Sequence, residues 1–189
     1  MLSGPFLSSL VLLLSEHHHR FTHRLLQYPK SAKRVYHLSV VYGDKEETGL
    51  TLASKKGYLE TVVFLVRRGA NVHARGGEAL GCASGGGHLK VVKYLLSKGA
   101  NVHAGGDKAL RWASGNGHLE VVQFLIGVGA DVHAKDDCAL RWASGEGHLE
   151  AVKYLVGVGA DVHADGGDEA LGMASMHGHL EVVKYLVGA

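Results

Sequence analysis

Histidine is the residue this chain most often offers for chemistry: fourteen occur among 189 residues, and eight of them recur in register. His73, His103, His133 and His163 form one set, and His88, His118, His148 and His179 form another. An imidazole can bind a metal or move a proton near neutral pH. Zinc ligands must lie about 2.0–2.3 Å from the ion, whereas equivalent residues on packed neighbouring helices stand roughly 8–10 Å apart. A ladder with that step cannot close on one ion, so the periodic histidines are read as partners of loop backbone. His19 and His23 are different, being four residues apart on one helix face with His17, His18 and Glu16 nearby. Two or three imidazoles and one carboxylate make a weak site, and no bound metal or other cofactor is expected.

The remaining reactive side chains resolve in the same way. No Gly-x-Ser-x-Gly, phosphate-binding Gly-x-x-x-x-Gly-Lys-Ser/Thr or His-Glu-x-x-His pattern occurs. Ser84, Ser114, Ser144 and Ser175 recur with no periodic acid and base beside them, and the glycine-rich pieces fall at turns. No catalytic residue is assigned and an enzyme is not expected. Cys82 and Cys138 occupy different positions two units apart, too far to bridge, which favours a reducing, cytoplasmic compartment.

The elements that carry these residues follow from one period. Leu50, Leu80, Leu110 and Leu140 are thirty residues apart, and Leu171 follows after thirty-one. A period of this length signals a solenoid whose units bury their apolar faces against one another. In the unit from Asp137 to Ala160, Asp137 reads as an N-cap, as do Asp107 and Asp168 at the same offset. A short helix carries Leu140, Trp142 and Ala143 and ends at Gly145 and Gly147. A second, from His148, buries Leu149, Val152, Leu155 and Val156 and stops at Gly157 and Gly159. Ala160 to Ala164 returns as a short extended loop. The fold class is all-α, a helix-turn-helix solenoid with short extended loops between repeats. Helix pairs are predicted at about 48–68, 78–98, 108–128, 138–158 and 169–188. Residues 1–47 form a non-repeat segment, in which Tyr28 to Val41 could serve as a degenerate cap, and 48–189 form an array of about five repeats.

The repeat resembles the ankyrin repeat. Gly-His-Leu-Glu-Val-Val (117–122 and 178–183) and Gly-Ala-Asp-Val (129–132 and 159–162) carry the likeness over residues 48–189. Two features depart from that pattern: Cys-Ala-Leu-Arg (138–141) replaces Thr-Pro-Leu-His, and the loop is about three residues shorter than in the 33-residue form. Shortened repeats of this kind are similar to those in ankyrin arrays of large DNA viruses.

The resemblance implies a non-enzymatic scaffold that binds a protein through loop tips, first helices and the two residues before each Gly-His-Leu. Carried onto this chain, the contact positions are Lys55, Lys56, Arg75, Glu78, Asp107, Lys108, Arg111, Asn116, Lys135, Asp136, Arg141, Glu146, Met176 and His177. Trp112 and Trp142 could anchor an interface, but their register with Leu52, Cys82 and Met173 favours buried packing.

Charge narrows the partner. A net charge of +2 with alternating signs lacks the clustered basic face that nucleic acid requires. Phe6 to Leu14 is apolar but too short to span a bilayer. It is read as an amphipathic or capping helix, with a cleaved signal or a membrane-surface anchor as the alternative. The last repeat carries Val182, Val183, Leu186 and Val187 with no polar replacement, so the C-terminal end is expected to expose an apolar side that can self-associate. An incomplete array without a present partner is the third reading.

Overall fold

The computed structural model describes residues 39–42, 45–164 and 168–189. Among the described residues, five helix pairs stack in sequence: α1 (Gly49–Lys55) with α2 (Leu59–Arg67), α3 (Ala74–Gly85) with α4 (Leu89–Ser97), and α5 (Ala104–Gly115) with α6 (Leu119–Gly127). They continue as α7 (Ala134–Gly145) with α8 (Leu149–Gly157), and α9 (Glu169–Met176) with α10 (Leu180–Val187). Each first helix packs on the first helix of the next pair, and each second helix on the next second helix. A short hairpin precedes the pairs, with β1 (Ser39–Tyr42) antiparallel to β2 (Lys45–Thr48) and Ser39 opposite Thr48. The β-branched pair Val40-Val41 suits an extended strand. Ser39 to Val41 is thus strand, while the rest of the suggested cap over 28–41 lies outside the described residues.

The thirty-residue leucine lies at the centre of each junction. Leu80, Leu110 and Leu140 are fully buried, as are Val92, Val122 and Val152 and then Leu95, Leu125 and Leu155 on the second helices. Burying one such side chain contributes about 2 kcal/mol. Ala83, Ala113, Ala143 and Ala174 are small enough to let the first helices approach closely, and the core runs as one strip along the array.

Histidine and glycine lock neighbouring repeats together. The Nε2–H of His118 donates to the Gly85 carbonyl at 3.0 Å, and that of His148 donates to Gly115 at 3.2 Å. His88 and His179 make the same bond to Lys55 and Gly145. Each ring lies against the preceding repeat's turn glycine. Gly117 has φ +71°, and a Cβ there would meet the His148 ring at 2.5 Å. Glycine is therefore required twice over, for its backbone conformation and for the close approach.

The links between repeats are tighter than extended loops. After a turn at each Val-His pair, three consecutive residues adopt left-handed conformation: Arg75-Gly76-Gly77, Gly105-Gly106-Asp107 and Lys135-Asp136-Asp137. A left-handed run reverses the chain in the fewest residues, which accounts for a link about three residues shorter than the 33-residue form. The expected Asp N-caps are corrected here. Asp168 makes no side-chain bond to its helix. Asp107 and Asp137 are buried and serve the next repeat: Asp107 Oδ1 accepts the Asp131 backbone N–H at 3.0 Å, and Asp137 Oδ1 accepts that of Asp161 at 3.0 Å. Each also accepts from a histidine Nδ1–H of its own link, His103 at 3.1 Å and His133 at 3.2 Å.

Candidate functional site

Residues four apart share one face of a helix. On the first helices this gives rows of Glu78, Cys82 and Gly86; Lys108, Trp112 and Asn116; Cys138, Trp142 and Glu146; and Glu169, Met173 and His177. Across the rows, Trp112 lies over Gly81 and Gly85 of the preceding repeat, Trp142 over Gly115, and Met173 over Gly145. A Cβ on Gly115 would stand 3.2 Å from the Trp142 side chain, so the glycine floor is what lets the indole lie flat.

The tryptophans are not core residues. Trp112 is half-buried, and Trp142 is 37% exposed. The expected burial therefore fails for Trp142. Cations flank both rings, with Lys108 Nζ 5.4 Å from the Trp112 centroid and Arg111 Cζ 5.6 Å from that of Trp142. A cation over an indole face adds about 0.5–1 kcal/mol at exposed sites and holds the ring in place.

Several contact positions turn out to build this face. Arg111 donates from Nε to the Gly106 carbonyl at 2.9 Å and from Nη2 to that of Gly105 at 2.8 Å, clasping the left-handed tip. Arg141 Nη2 donates to the Lys135 carbonyl at 2.9 Å, while its Nη1 pairs with Glu169 of the next repeat. Lys108 Nζ pairs with Glu78 at 3.1 Å across another junction, and Asn116 Nδ2 donates to the Trp112 carbonyl at 2.8 Å. Charge is thus largely satisfied within the rows.

Lys55, Lys56, Arg75, Lys135, Asp136 and Glu146 are exposed, and Asp136 has no side-chain partner among the described residues. Lys135 and Asp136 hold φ +57°. Left-handed conformation costs a side-chain-bearing residue about 1–2 kcal/mol. Asp107 is corrected: it is 4% exposed and committed to His103 and Asp131, so it cannot meet a partner. His177 is exposed but donates from Nδ1 to the Gly145 carbonyl at 2.6 Å. Met176 stands in the position of Gly145, on the outer side of the fifth repeat.

Sequence reasoning missed Trp142 as a face residue, although the signal was present. Glu146 had been placed on the face, and Trp142 lies one helical turn before it. Among the described residues, no three His, Cys, Asp or Glu side chains gather as a metal site would require. Cys82 and Cys138 are free and buried. The cluster of His17, His18, His19 and His23, the apolar run from Phe6 to Leu14, and the tip residues 165–167 lie outside the described residues. No described helix is long and apolar enough to cross a membrane.

A family model described as ankyrin repeats in three copies matches residues 10–106, 50–136 and 110–189. Comparison with curated proteins returns no match.

Proposed function

Because the chain belongs to the ankyrin-repeat family, whose arrays generally serve as protein-interaction modules, we propose that it is a non-enzymatic scaffold. It holds a protein partner on the first-helix face and the adjoining loop tips. The observation that carries this reading is the exposed Trp142 ring, fixed between Arg111 and the Gly115 floor. A preorganised indole loses little conformational freedom on binding, and tryptophan and arginine dominate the energetics of protein interfaces. The exposed tip residues Lys135 and Asp136 belong to the same repeat, and Asn116 and Glu146 stand one helical turn after Trp112 and Trp142. The array comprising 48–189 carries this surface in our reading.

The test is affinity capture with the full chain, comparing wild type with Trp142→Ala and with Glu146→Ala. Arg111 and Arg141 are poorer choices for the test, since they hold the tips together. Loss of the same captured proteins in both variants, with helical circular dichroism unchanged, supports the reading. A captured set identical in all three proteins overturns the placement of the face.

A further inference from the structure

Charge sorts along the array, against the alternation expected from the sequence. Residues 49–103, which span the first two repeats, carry eight Lys or Arg against two Asp or Glu, whereas residues 104–189 carry six against twelve. The sorting is sharpest on the exposed side of the second helices. Glu60, Glu120, Glu150 and Glu181 each stand in a first turn, where the helix dipole favours a carboxylate, but α4 has Lys90 there. Glu150 pairs with Lys153 at 2.9 Å and Glu181 with Lys184 at 2.8 Å. The same spacing in α4 joins Lys90 to Lys93, like beside like. Lys90, Lys93 and Lys98 are exposed, and neither they nor Arg67 and Arg68 have a carboxylate partner among the described residues. Arg68, Lys93 and Lys98 instead lie over the rings of Phe64, Phe124 and Tyr94, at 5.2, 5.1 and 5.6 Å from the centroids.

Packing does not dictate the difference between the two halves. Asn71 and Asn101 each accept the backbone N–H of the histidine two residues on, at 2.8 and 3.0 Å. Asp131 and Asp161 accept the same bond at 3.0 and 2.8 Å. The neutral amide and the carboxylate do the same structural work with different charge.

We propose that the second-helix face of the first two repeats binds an acidic segment of a protein partner, on a surface separate from the Trp142 face. Arg68, Lys98, Val128 and Val158 stand at equivalent positions, one per repeat, with Val128 45% and Val158 39% exposed. Neighbouring packed helices lie roughly 8–10 Å apart, about the length of three residues of extended chain. An extended segment running along this row meets two cations and then two valines, so its chemistry is acidic at one end and apolar at the other. A long polyanion fits poorly, because the exposed Glu120, Asp131, Glu150 and Asp161 of the third and fourth repeats repel it. That places nucleic acid and an anionic bilayer behind a peptide.

Fluorescence anisotropy of the full chain with a labelled peptide tests the proposal. The peptide is about ten residues long, with glutamate at every third position of one half and valine at every third position of the other. It is made in both chain orders, and the controls are its glutamine version, a single-stranded DNA and phosphatidylserine vesicles. Wild type should bind the acidic peptide in at least one order, more weakly as salt rises, and should bind the glutamine version about tenfold more weakly. Lys98→Glu should weaken binding by about tenfold. Lys90→Glu and Asn101→Asp give the second repeat the residues that the third and fourth hold. Both should leave helical circular dichroism unchanged while weakening the peptide by about threefold each. Trp142→Ala should leave this binding unchanged, which separates it from the first-helix face. Binding that ignores the changes at 90, 98 and 101 overturns the proposal. Failure to bind the peptide in either order, or tighter binding of the DNA or the vesicles, overturns it as well.

Discussion

Gly117–Val122 and Gly178–Val183 are the same six residues in the same order, yet they occupy different surroundings. In the third repeat, Gly117 lies under the His148 ring, Leu119 is half-buried and Val122 is fully buried. In the fifth, Gly178 is open, Leu180 is 59% exposed and Val183 is half-buried. The first valine of each pair escapes this pattern, because Val121 and Val182 are both buried. Identical sequence with a different neighbour gives a different environment, so the stability of a repeat resides largely in its junctions. That is the behaviour of a quasi-one-dimensional array.

Matched substitutions sharpen the comparison. The largest contrast is expected at the alignment leucine. Leu140→Ala removes a fully buried side chain from a covered junction and should cost about 3–4 kcal/mol in denaturant unfolding, against about 1 kcal/mol for the half-buried Leu171→Ala. The turn glycine follows. Gly117→Ala combines a left-handed alanine with a clash against His148 and should cost about 3 kcal/mol, whereas Gly178→Ala meets only the backbone penalty, about 1 kcal/mol. Equal losses at the two glycines would break the comparison. The smallest effect has the opposite sign. Ser144 is fully buried with no hydrogen-bond partner for its hydroxyl among the described residues, while Ser175 is exposed. Ser144→Ala should raise stability by about 1 kcal/mol and Ser175→Ala should leave it unchanged within about 0.5 kcal/mol.

The repeat was legible because its signals are local and recur. Leucine spacing places the helix pairs, and Gly-His-Leu marks each second helix, so the solenoid follows from pattern alone. What escaped depends on contacts between repeats. Asp107 reads as an N-cap when only its own helix is considered, but its carboxylate is used by the Asp131 backbone of the next repeat. Trp142 reads as core because it shares its register with Leu52, Cys82 and Met173, but its ring is left 37% exposed. The left-handed tip was hidden in Lys135-Asp136-Asp137, three residues that individually disfavour the conformation the short link imposes. Lys135 and Asp136 carry no periodic signature, and only the family resemblance marks them as contact positions in the sequence.

The central claim is that neighbours, rather than local sequence, hold each repeat. Hydrogen exchange on the two identical hexapeptides tests it most directly, because their intrinsic exchange rates are matched by sequence. The amides of 178–183 should exchange about 100-fold faster than those of 117–122, a difference of roughly 3 kcal/mol in local opening. Equal protection of the two segments would contradict the account.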